Sequence, residues 1–240
     1  MPPPLQPPAR ALRNILKRPS YPYESDGIAT MHFSPFLQDR DFLARYSTVA
    51  TTWPTDIRWR LWILTRSAAR CAALDGAFAE FGVYRGGCAY MVLSETPPHT
   101  GRSFYLFDTF EGIPDSNLTN AEIQAGFAGR LADTSLNEVR SRLDPWRERL
   151  RIVVGDVFKT LPEIDTGPIA FAHIDLNAAA PTELVLRYTW DRLVASGIVV
   201  FDDYGFGGYE DQRLLIDRFF DARNDAVIAL PTGQALAIRA

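Results

Sequence analysis

Short apolar runs alternate with amphipathic stretches along the chain from Pro54 onward. The runs are typical of buried strands, and apolar residues three and four positions apart are typical of helices. The predicted strands cover residues 78–84, 103–109, 150–156, 169–176, 197–204, 225–230 and 235–239. The predicted helices cover residues 54–75, 87–95, 120–143, 157–161, 181–194 and 209–220. This alternation predicts an α/β fold, with a seven-stranded, mostly parallel sheet between two layers of helices and a last strand that is antiparallel in a C-terminal hairpin.

Two further segments precede this main domain, which we place at residues 54–240. Residues 1–20 are rich in proline and are predicted to be a disordered lead-in. Residues 21–53 carry too many large aromatic side chains for a linker, and we expect an irregular cap that packs over the domain. The cap either closes over bound molecules or serves as a structural collar or subunit contact. The aromatic side chains make a homo-oligomer reasonable.

Composition and charge exclude several classes of partner. The net charge of -4 and pI of about 5.4 argue against nucleic acid. No apolar run approaches the length of about 20 residues that spans a bilayer, so no membrane association is expected. The N-terminus lacks the apolar segment of a signal peptide, and Cys71 and Cys88 are too few for a disulfide framework. These features predict a cytoplasmic protein.

The first predicted strand of the main domain ends in a glycine-rich turn, EFGVYRGG at residues 80–87. Glycines permit tight turns and close approach of a ligand, and the helix that follows offers free N–H groups. A carboxylate at Glu80 would repel a pyrophosphate but suits the cationic amino-acid end of S-adenosylmethionine. The candidate cofactor-binding residues of this turn are Glu80, Phe81, Gly82, Tyr84, Gly86 and Gly87.

The next two strands also end in acids. Asp108, followed by Thr109, lies about 20 residues after the glycine turn, where an acid typically binds the ribose hydroxyls. Gly155, Asp156 and Val157 end the third strand, beside the expected position of an adenine ring. Asp156 either accepts a hydrogen bond from the adenine amine or caps the short helix that follows.

Three more acids end the fourth and fifth strands. Asp175, Asp202 and Asp203 are expected at one edge of the sheet, and burying like charges together is costly unless a cation compensates them. Oxygen ligands favour a hard ion such as Mg²⁺. Alternatively, some of these acids cap helices or pair with arginines. His173 lies on the same face as Asp175 and is either a core residue or a catalytic one.

These motifs together resemble the macrocin O-methyltransferase-like (TylF/MycF-type) family. The matching stretches are FAEFGVYRGG at 78–87, FYLFDTFEGIPD at 104–115, AHIDL at 172–176 and GIVVFDDYG at 197–205. The resemblance runs from about Arg58 to the C-terminus. It implies a Rossmann-like class I methyltransferase fold, bound S-adenosylmethionine, Mg²⁺ held by Asp175, Asp202 and Asp203, and an acceptor hydroxyl on a sugar or other natural product.

The resemblance has one departure that bears on the acceptor. The family commonly has an acid and a tyrosine where this chain has Asn177 and Ala179. Asn177 can still supply an oxygen ligand, so metal binding is still expected, although it should be weaker. Loss of the tyrosine indicates a different acceptor pocket.

The expected chemistry is methyl transfer to oxygen, with Asp175 as the best candidate for the general base and His173 in reserve. Three alternatives remain open from the residues. They are a nicotinamide-dependent oxidoreductase, a metal-dependent hydrolase and a non-catalytic member that binds S-adenosylmethionine.

Overall fold

A computed structural model describes residues 23–96 and 101–240, so the predicted lead-in at residues 1–20 lies outside the described residues. The strands are β1 (Tyr23–Ser25), β2 (Ile28–Thr30), β3 (Ala77–Phe81), β4 (Phe104–Asp108), β5 (Leu150–Val154), β6 (Ile169–Ile174), β7 (Leu193–Phe201), β8 (Ile228–Ala229) and β9 (Ala235–Ile238). The α-helices of the described chain are α1 (Arg40–Val49), α2 (Arg58–Arg70), α3 (Gly87–Glu95), α4 (Asn120–Gln124), α5 (Leu136–Leu143), α6 (Val157–Thr160), α7 (Ala179–Arg192) and α8 (Glu210–Asp221).

Seven strands form one sheet in the order β5-β4-β3-β6-β7-β9-β8. The five strands from β5 to β7 are parallel, whereas β9 is antiparallel to both β7 and β8. The carboxyl ends of all five parallel strands therefore meet at one edge. The predicted seven-stranded fold with a C-terminal hairpin is confirmed.

Both faces of the sheet are covered. Every residue of β3 and β6 is buried, which explains why these strands appear in the sequence as continuous apolar runs. On one face, Phe78 and Phe171 pack in a cluster with α2 and α3. On the other, Phe81 and Val199 pack in a cluster with α7 and α8.

Two predicted helices differ from the structure. The first begins at Arg58 rather than at Pro54, which lies in the preceding loop. The single helix predicted over residues 120–143 is wrong, because α4 and α5 are separated by a loop. Gly126, Gly129 and Leu131 have φ of 76°, 67° and 62° in this loop, which is the left-handed region, where a right-handed helix cannot continue.

The described residues of the cap segment, 23–53, form strands and helices where an irregular segment was predicted. Asp26 and Gly27 form the turn of a hairpin between β1 and β2, with φ of 53° and 77°. An Asp-Gly pair is a strong hairpin signal, and our sequence analysis missed it. Asp39 begins α1 by accepting a hydrogen bond from the N–H of Phe42.

The aromatic side chains of the cap pack mainly on α2. Phe36 contacts the rings of Tyr23 and Trp59 edge to face, with centroids 5.3 and 5.1 Å apart, and Phe42 contacts Trp62 at 5.2 Å. These side chains of the cap therefore pack against the domain at α2, and α1 also contacts α3. Among the described residues, no helix is both long and apolar enough to cross a membrane.

Candidate active site

A cavity of about 600 Å³ opens at the carboxyl edge of the parallel strands. Most of the predicted site residues line it, namely Glu80, Gly82, Tyr84, Gly87, Asp108, Thr109, Gly155, Asp156, Val157, Asp175, Asp202 and Asp203. The end of the cap forms one wall, with Trp53 among its residues. Topology therefore brings residues of five strand ends to one cavity.

Three predicted site residues do not line the cavity. Phe81 lies in the core, where its ring stacks on Phe107 with centroids 4.7 Å apart. Gly86 is the N-cap of α3, with φ of 74°. These two residues shape the glycine turn rather than the cavity wall. His173 lies behind the wall and is 1% exposed.

Two glycines of the turn are required by the protein's own packing. A Cβ on Gly82 would lie 1.8 Å from the carbonyl oxygen of Asp175, so the turn can cross the end of β6 only with glycine. A Cβ on Gly87 would lie 2.6 Å from the ring of Trp53. The glycine turn is therefore the point where β3, β6 and the cap meet.

Asp108 organises the backbone of this turn. One carboxylate oxygen accepts hydrogen bonds from the N–H groups of Val83 and Tyr84, at 2.6 and 2.8 Å. The other oxygen accepts from the N–H of Phe110 at 2.7 Å. Asp156 likewise caps α6, since Oδ1 accepts from the N–H of Phe158 and from the amide of Asn117, both at 3.0 Å.

Glu80 and His173 form a buried pair beside the cavity, each 1% exposed. Their Oε1 and Nδ1 atoms are 3.3 Å apart, whereas Oε2 of Glu80 has no hydrogen-bond partner among the described residues. Burial raises the pKa of Glu80, and His173 opposes that shift. Burial alone would lower the pKa of His173, but the nearby carboxylates of Asp202 and Glu80 raise it to about 10.

Both oxygens of Asp202 contact protein groups. Oδ2 accepts from Nη1 of Arg60 at 2.6 Å, and Oδ1 accepts from the amide of Gln234 at 2.8 Å. Nε2 of His173 is 3.6 Å from Oδ1. Burial would raise the pKa of Asp202, but Arg60 and His173 hold it well below its usual range.

Asp175 and Asp203 lack such a cationic partner at hydrogen-bond distance among the described residues. Burial raises the pKa of Asp175 to about 7, and the carboxylate of Asp202 adds to this shift. Burial, and then the charges of Asp175 and Asp202, raise the pKa of Asp203 well above its ordinary value. These two acids therefore carry the electrostatic cost of the site.

Asn177 ties the two acids together. Its amide nitrogen donates to Oδ1 of Asp175 at 2.8 Å, and its backbone N–H donates to Asp203 at 3.1 Å. Its amide oxygen accepts from the hydroxyl of Tyr209 at 2.9 Å. Tyr209, from the loop before α8, therefore places a tyrosine hydroxyl against Asn177. The tyrosine that the family commonly has at position 179 is alanine in this chain.

The described part of the chain contains two groups of possible metal ligands. Within each group, the ligand atoms all lie within 4.8 Å of one another. The residues are Glu80, Cys88 and His173 in one group and His173, Asp175 and Asp202 in the other. Neither group includes Asp203. The predicted trio lines one cavity, and its ligand atoms do not form a single group of this size.

Sequence reasoning missed Arg60 and Gln234, which hold Asp202. Arg60 lies on α2, 142 positions before Asp202, and Gln234 lies in the C-terminal hairpin. Arg60 occurs among apolar residues of an amphipathic helix, and no local pattern distinguishes it from a solvated arginine. Only the packing of α2 on the sheet brings the two residues together.

The fold is that of class I O-methyltransferases. The structure is similar to that of the O-methyltransferase NovP, with a TM-score of 0.67 and 21% identity, covering 75% of this chain and 79% of that one. It is also similar to the calicheamicin methyltransferase CalS11, with a TM-score of 0.66 and 21% identity, covering 86% of this chain and 94% of that one. At this level of identity, the likeness concerns the fold.

The sequence identifies the family. The model of the macrocin O-methyltransferase (TylF) family matches residues 58–229, which is more than half of the chain, and the chain belongs to this family. A relative from Streptomyces olivaceus, 8-demethyl-8-(2,3-dimethoxy-alpha-L-rhamnosyl)-tetracenomycin-C 4'-O-methyltransferase, is 28% identical over 147 residues. That match covers 58% of this chain and 56% of the relative, so the chain matches just over half of the relative's length.

Proposed function

We propose that this protein transfers the methyl group of S-adenosylmethionine to a hydroxyl of a sugar or another natural-product small molecule. Family membership supports the reaction class, and the relative named for methylating a rhamnosyl group supports the acceptor class. The observation that carries the proposal is Glu80, because its Oε2 is buried beside the cavity at the glycine turn and has no hydrogen-bond partner in the described part of the chain.

The cavity residues fit this cofactor. An ammonium group suits the unpartnered carboxylate oxygen of Glu80, because a buried acceptor without a partner is costly. Asp108 keeps lone pairs for ribose hydroxyls while it holds the turn, and Oδ2 of Asp156 is not used by the helix cap. We assign the ribose to Asp108 and Thr109, and the adenine to Gly155, Asp156 and Val157.

The reaction is an in-line displacement at the methyl carbon. The acceptor oxygen forms a bond to this carbon while the carbon–sulfur bond breaks, and the electron pair of that bond leaves with sulfur as S-adenosylhomocysteine. The hydroxyl proton must be removed. Alignment of donor and acceptor supplies much of the acceleration, and the cavity and Trp53 exclude water.

We assign the general base to Asp175. It lines the cavity, and its pKa of about 7 is suited to accepting a proton near neutral pH. His173 is buried behind the wall and hydrogen-bonds Glu80, so we assign it a positioning role in place of direct proton transfer.

We also propose that Mg²⁺ binds at Asp175, Asp202 and Asp203. The fit rests on an all-oxygen donor set and on the raised pKa values of Asp175 and Asp203, which indicate uncompensated charge. A bound ion supplies Lewis-acid stabilisation of the developing alkoxide. Because Asn177 already holds Asp175 and Arg60 holds Asp202, we expect weak binding.

Calorimetric titration with S-adenosylhomocysteine, with and without Mg²⁺, tests the cofactor assignment. We expect binding in both conditions. Methyl transfer to rhamnosyl and other deoxysugar hydroxyls, followed by mass spectrometry, then tests the acceptor, and chelation is expected to reduce turnover. If the protein binds no S-adenosylhomocysteine in either condition, the proposal is wrong, and titration with nicotinamide cofactors tests the oxidoreductase alternative.

A further inference from the structure

Five side chains of alternating charge type form a continuous row from the cap to the cofactor end of the cavity. In order they are Asp26, Arg60, Asp202, His173 and Glu80. Arg60 donates to Asp26 from Nε at 2.7 Å and to Asp202 from Nη1 at 2.6 Å. The row continues from Asp202 to His173 at 3.6 Å and from His173 to Glu80 at 3.3 Å.

We propose that Arg60 is a positioning residue that acts through Asp202 and His173 on Glu80, and thereby sets the affinity of the cavity for the amino-acid portion of S-adenosylmethionine. This inference rests on the proposed function. The row gives it a physical route, because each member is held by the next at hydrogen-bond or ion-pair distance.

Arg60 is suited to this role by its geometry. Its side chain is 16% exposed, and its planar fork places two nitrogens on Asp26, at 2.7 and 3.2 Å, and a third on Asp202. Only a guanidinium can serve two carboxylates in this way. Removal of Arg60 leaves the buried Oδ2 of Asp202 without its charged partner, which is strongly unfavourable unless the carboxylate turns.

A displaced Asp202 affects Glu80 through a single residue. His173 is the hydrogen-bond partner of Glu80 among the described residues, and the other neighbour of its ring is Asp202. If Asp202 turns away, His173 loses the group that orients its ring, and the carboxylate of Glu80 is no longer held in place beside the cavity. The expected loss is therefore confined to ligands that carry the amino-acid portion.

The hairpin turn of the cap fixes the far end of the row. Asp26 is held in a left-handed conformation with φ of 53°, and its carboxylate is 6% exposed. The cap thus contributes to the cofactor site through Arg60 although Asp26 does not line the cavity. Asp26→Asn keeps one acceptor oxygen for Arg60, so its effect is expected to be the same in kind and smaller.

Two ligands separate this role from general damage. S-adenosylhomocysteine carries the amino-acid portion, whereas 5′-methylthioadenosine has the same nucleoside without it. We expect Arg60→Gln to weaken binding of S-adenosylhomocysteine by about ten- to a hundredfold, as when an outer partner of a binding group is removed, and to leave binding of 5′-methylthioadenosine unchanged. Calorimetry of both ligands, with thermal unfolding of each variant, provides the measurement.

Arg58→Gln is the matched control. Arg58 lies on the same helix, pairs with Asp56 at 2.6 Å and packs against the cap, but it belongs neither to the row nor to the cavity wall. We expect its ratio of the two affinities to equal that of the wild type. Asp26→Asn provides a milder test if Arg60→Gln does not fold.

The outcomes are distinguishable. An equal loss of both ligands in the Arg60 and Asp26 variants, or no loss of either, overturns the role of Arg60. A wild-type protein that binds neither ligand contradicts the proposed function itself, and the variants are then not needed to reach that conclusion.

Discussion

The two halves of the cavity use acids in different ways. On the side that we propose for the cofactor, Asp108 ends β4 and Asp156 follows β5. Each accepts hydrogen bonds from backbone N–H groups within its own loop or the adjoining turn. On the side that we propose for the acceptor, Asp175 follows β6, and Asp202 and Asp203 follow β7. Asp202 and Asp203 are buried, and Asp175 is half-buried beside them. Five strand ends of one sheet thus produce two electrostatic environments.

The two sides differ in how far along the chain the partners of their acids lie. Neighbouring backbone satisfies the carboxylates of the cofactor side, so that side is held by the loops themselves. The acceptor side depends on groups from elsewhere in the chain, because Arg60 comes from α2 and Gln234 from the C-terminal hairpin. Substitutions that act on one side should therefore have effects that the other side does not share.

Gly82→Ala should have the largest effect, because Gly82 joins the two halves. Its Cβ would lie 1.8 Å from the carbonyl oxygen of Asp175, at a φ of 89° that alanine disfavours. We expect a loss of more than about 4 kcal/mol in the free energy of unfolding, or failure to fold. Denaturant titration provides the measurement.

Gly167→Ala is the control for this substitution. Gly167 also has a positive φ, of 64°, but a Cβ there would have no neighbour within 4 Å. Only the conformational cost remains, so we expect a loss of about 1 kcal/mol. Similar losses in the two variants would show that the close crossing of β3 and β6 is not what requires Gly82.

A comparison of Asp202→Asn with Asp108→Asn tests the difference between the two sides, because each variant removes the charge of one acid from one side. The first removes the buried carboxylate that Arg60 and His173 share, although Arg60 keeps Asp26 and His173 keeps Glu80, and we expect a loss of about 3 kcal/mol in the free energy of unfolding. The second removes charge from hydrogen bonds to backbone N–H groups, and we expect about 1 kcal/mol. Denaturant titration at pH 7 compares them, and the reverse order would contradict the distinction drawn above.

The contribution of Asp202 should also depend on pH. Its pKa is held below the ordinary value, so its stabilisation is complete above the unfolded pKa of about 3.9 and is lost as the pH falls further. The difference in stability between wild type and Asp202→Asn should therefore narrow in acid. A difference that does not narrow below about pH 3.9 would show that the ion pairs of Asp202 are not its source.

The same contrast decides how much the sequence could predict. The sheet, its hairpin and the family follow from apolar runs and from motifs at strand ends, because such signals are local. The glycine turn and the acids of the cavity were found for the same reason. The prediction of one helix over residues 120–143 failed because its amphipathic pattern outweighed the two glycines. Gly126 follows the end of α4 with a positive φ, and Gly129 has a positive φ in the loop beyond it.

The ion-pair partners of the site could not be predicted from local patterns. Arg60 contacts Asp202 across 142 positions, and the aromatic side chains of the cap that pack on its helix appeared in the sequence only as composition. The turn at Asp26 is different, since Asp-Gly between short β-forming segments was available as a signal. The missing information was therefore mostly tertiary.

Asp175→Asn tests the acceptor side by its chemistry. An amide cannot accept the hydroxyl proton, so kcat should fall by about a hundredfold or more. In the wild type the reactive form is the ionised carboxylate, so kcat measured without added Mg²⁺ should fall as the pH drops below about 7, the pKa to which burial and Asp202 raise Asp175. Steady-state rates from pH 5.5 to 9 check this, because that range extends about 1.5 pH units below and about 2 pH units above the pKa.

The affinity for S-adenosylhomocysteine provides the control for Asp175→Asn. Asp175 lies on the acceptor side, so the variant should bind this product about as tightly as the wild type. Loss of affinity together with kcat would place Asp175 in cofactor binding and would remove the assignment of the base. An unchanged kcat would show that proton removal occurs elsewhere.

The smallest effects are expected on the cofactor side, at Asp156, where two substitutions separate its two roles. Asp156→Ser keeps a side-chain acceptor for the N-cap of α6, whereas Asp156→Ala removes it, so only alanine should cost about 1 kcal/mol in the free energy of unfolding. Both remove the carboxylate. If this group accepts from the adenine amine, both should weaken S-adenosylhomocysteine by the same factor, of about fivefold for one hydrogen bond. If Asp156→Ser binds S-adenosylhomocysteine as tightly as the wild type, the carboxylate does not contact the adenine, and Asp156 acts only as the N-cap of α6. Stability then reports the cap, and affinity reports the contact with the ligand.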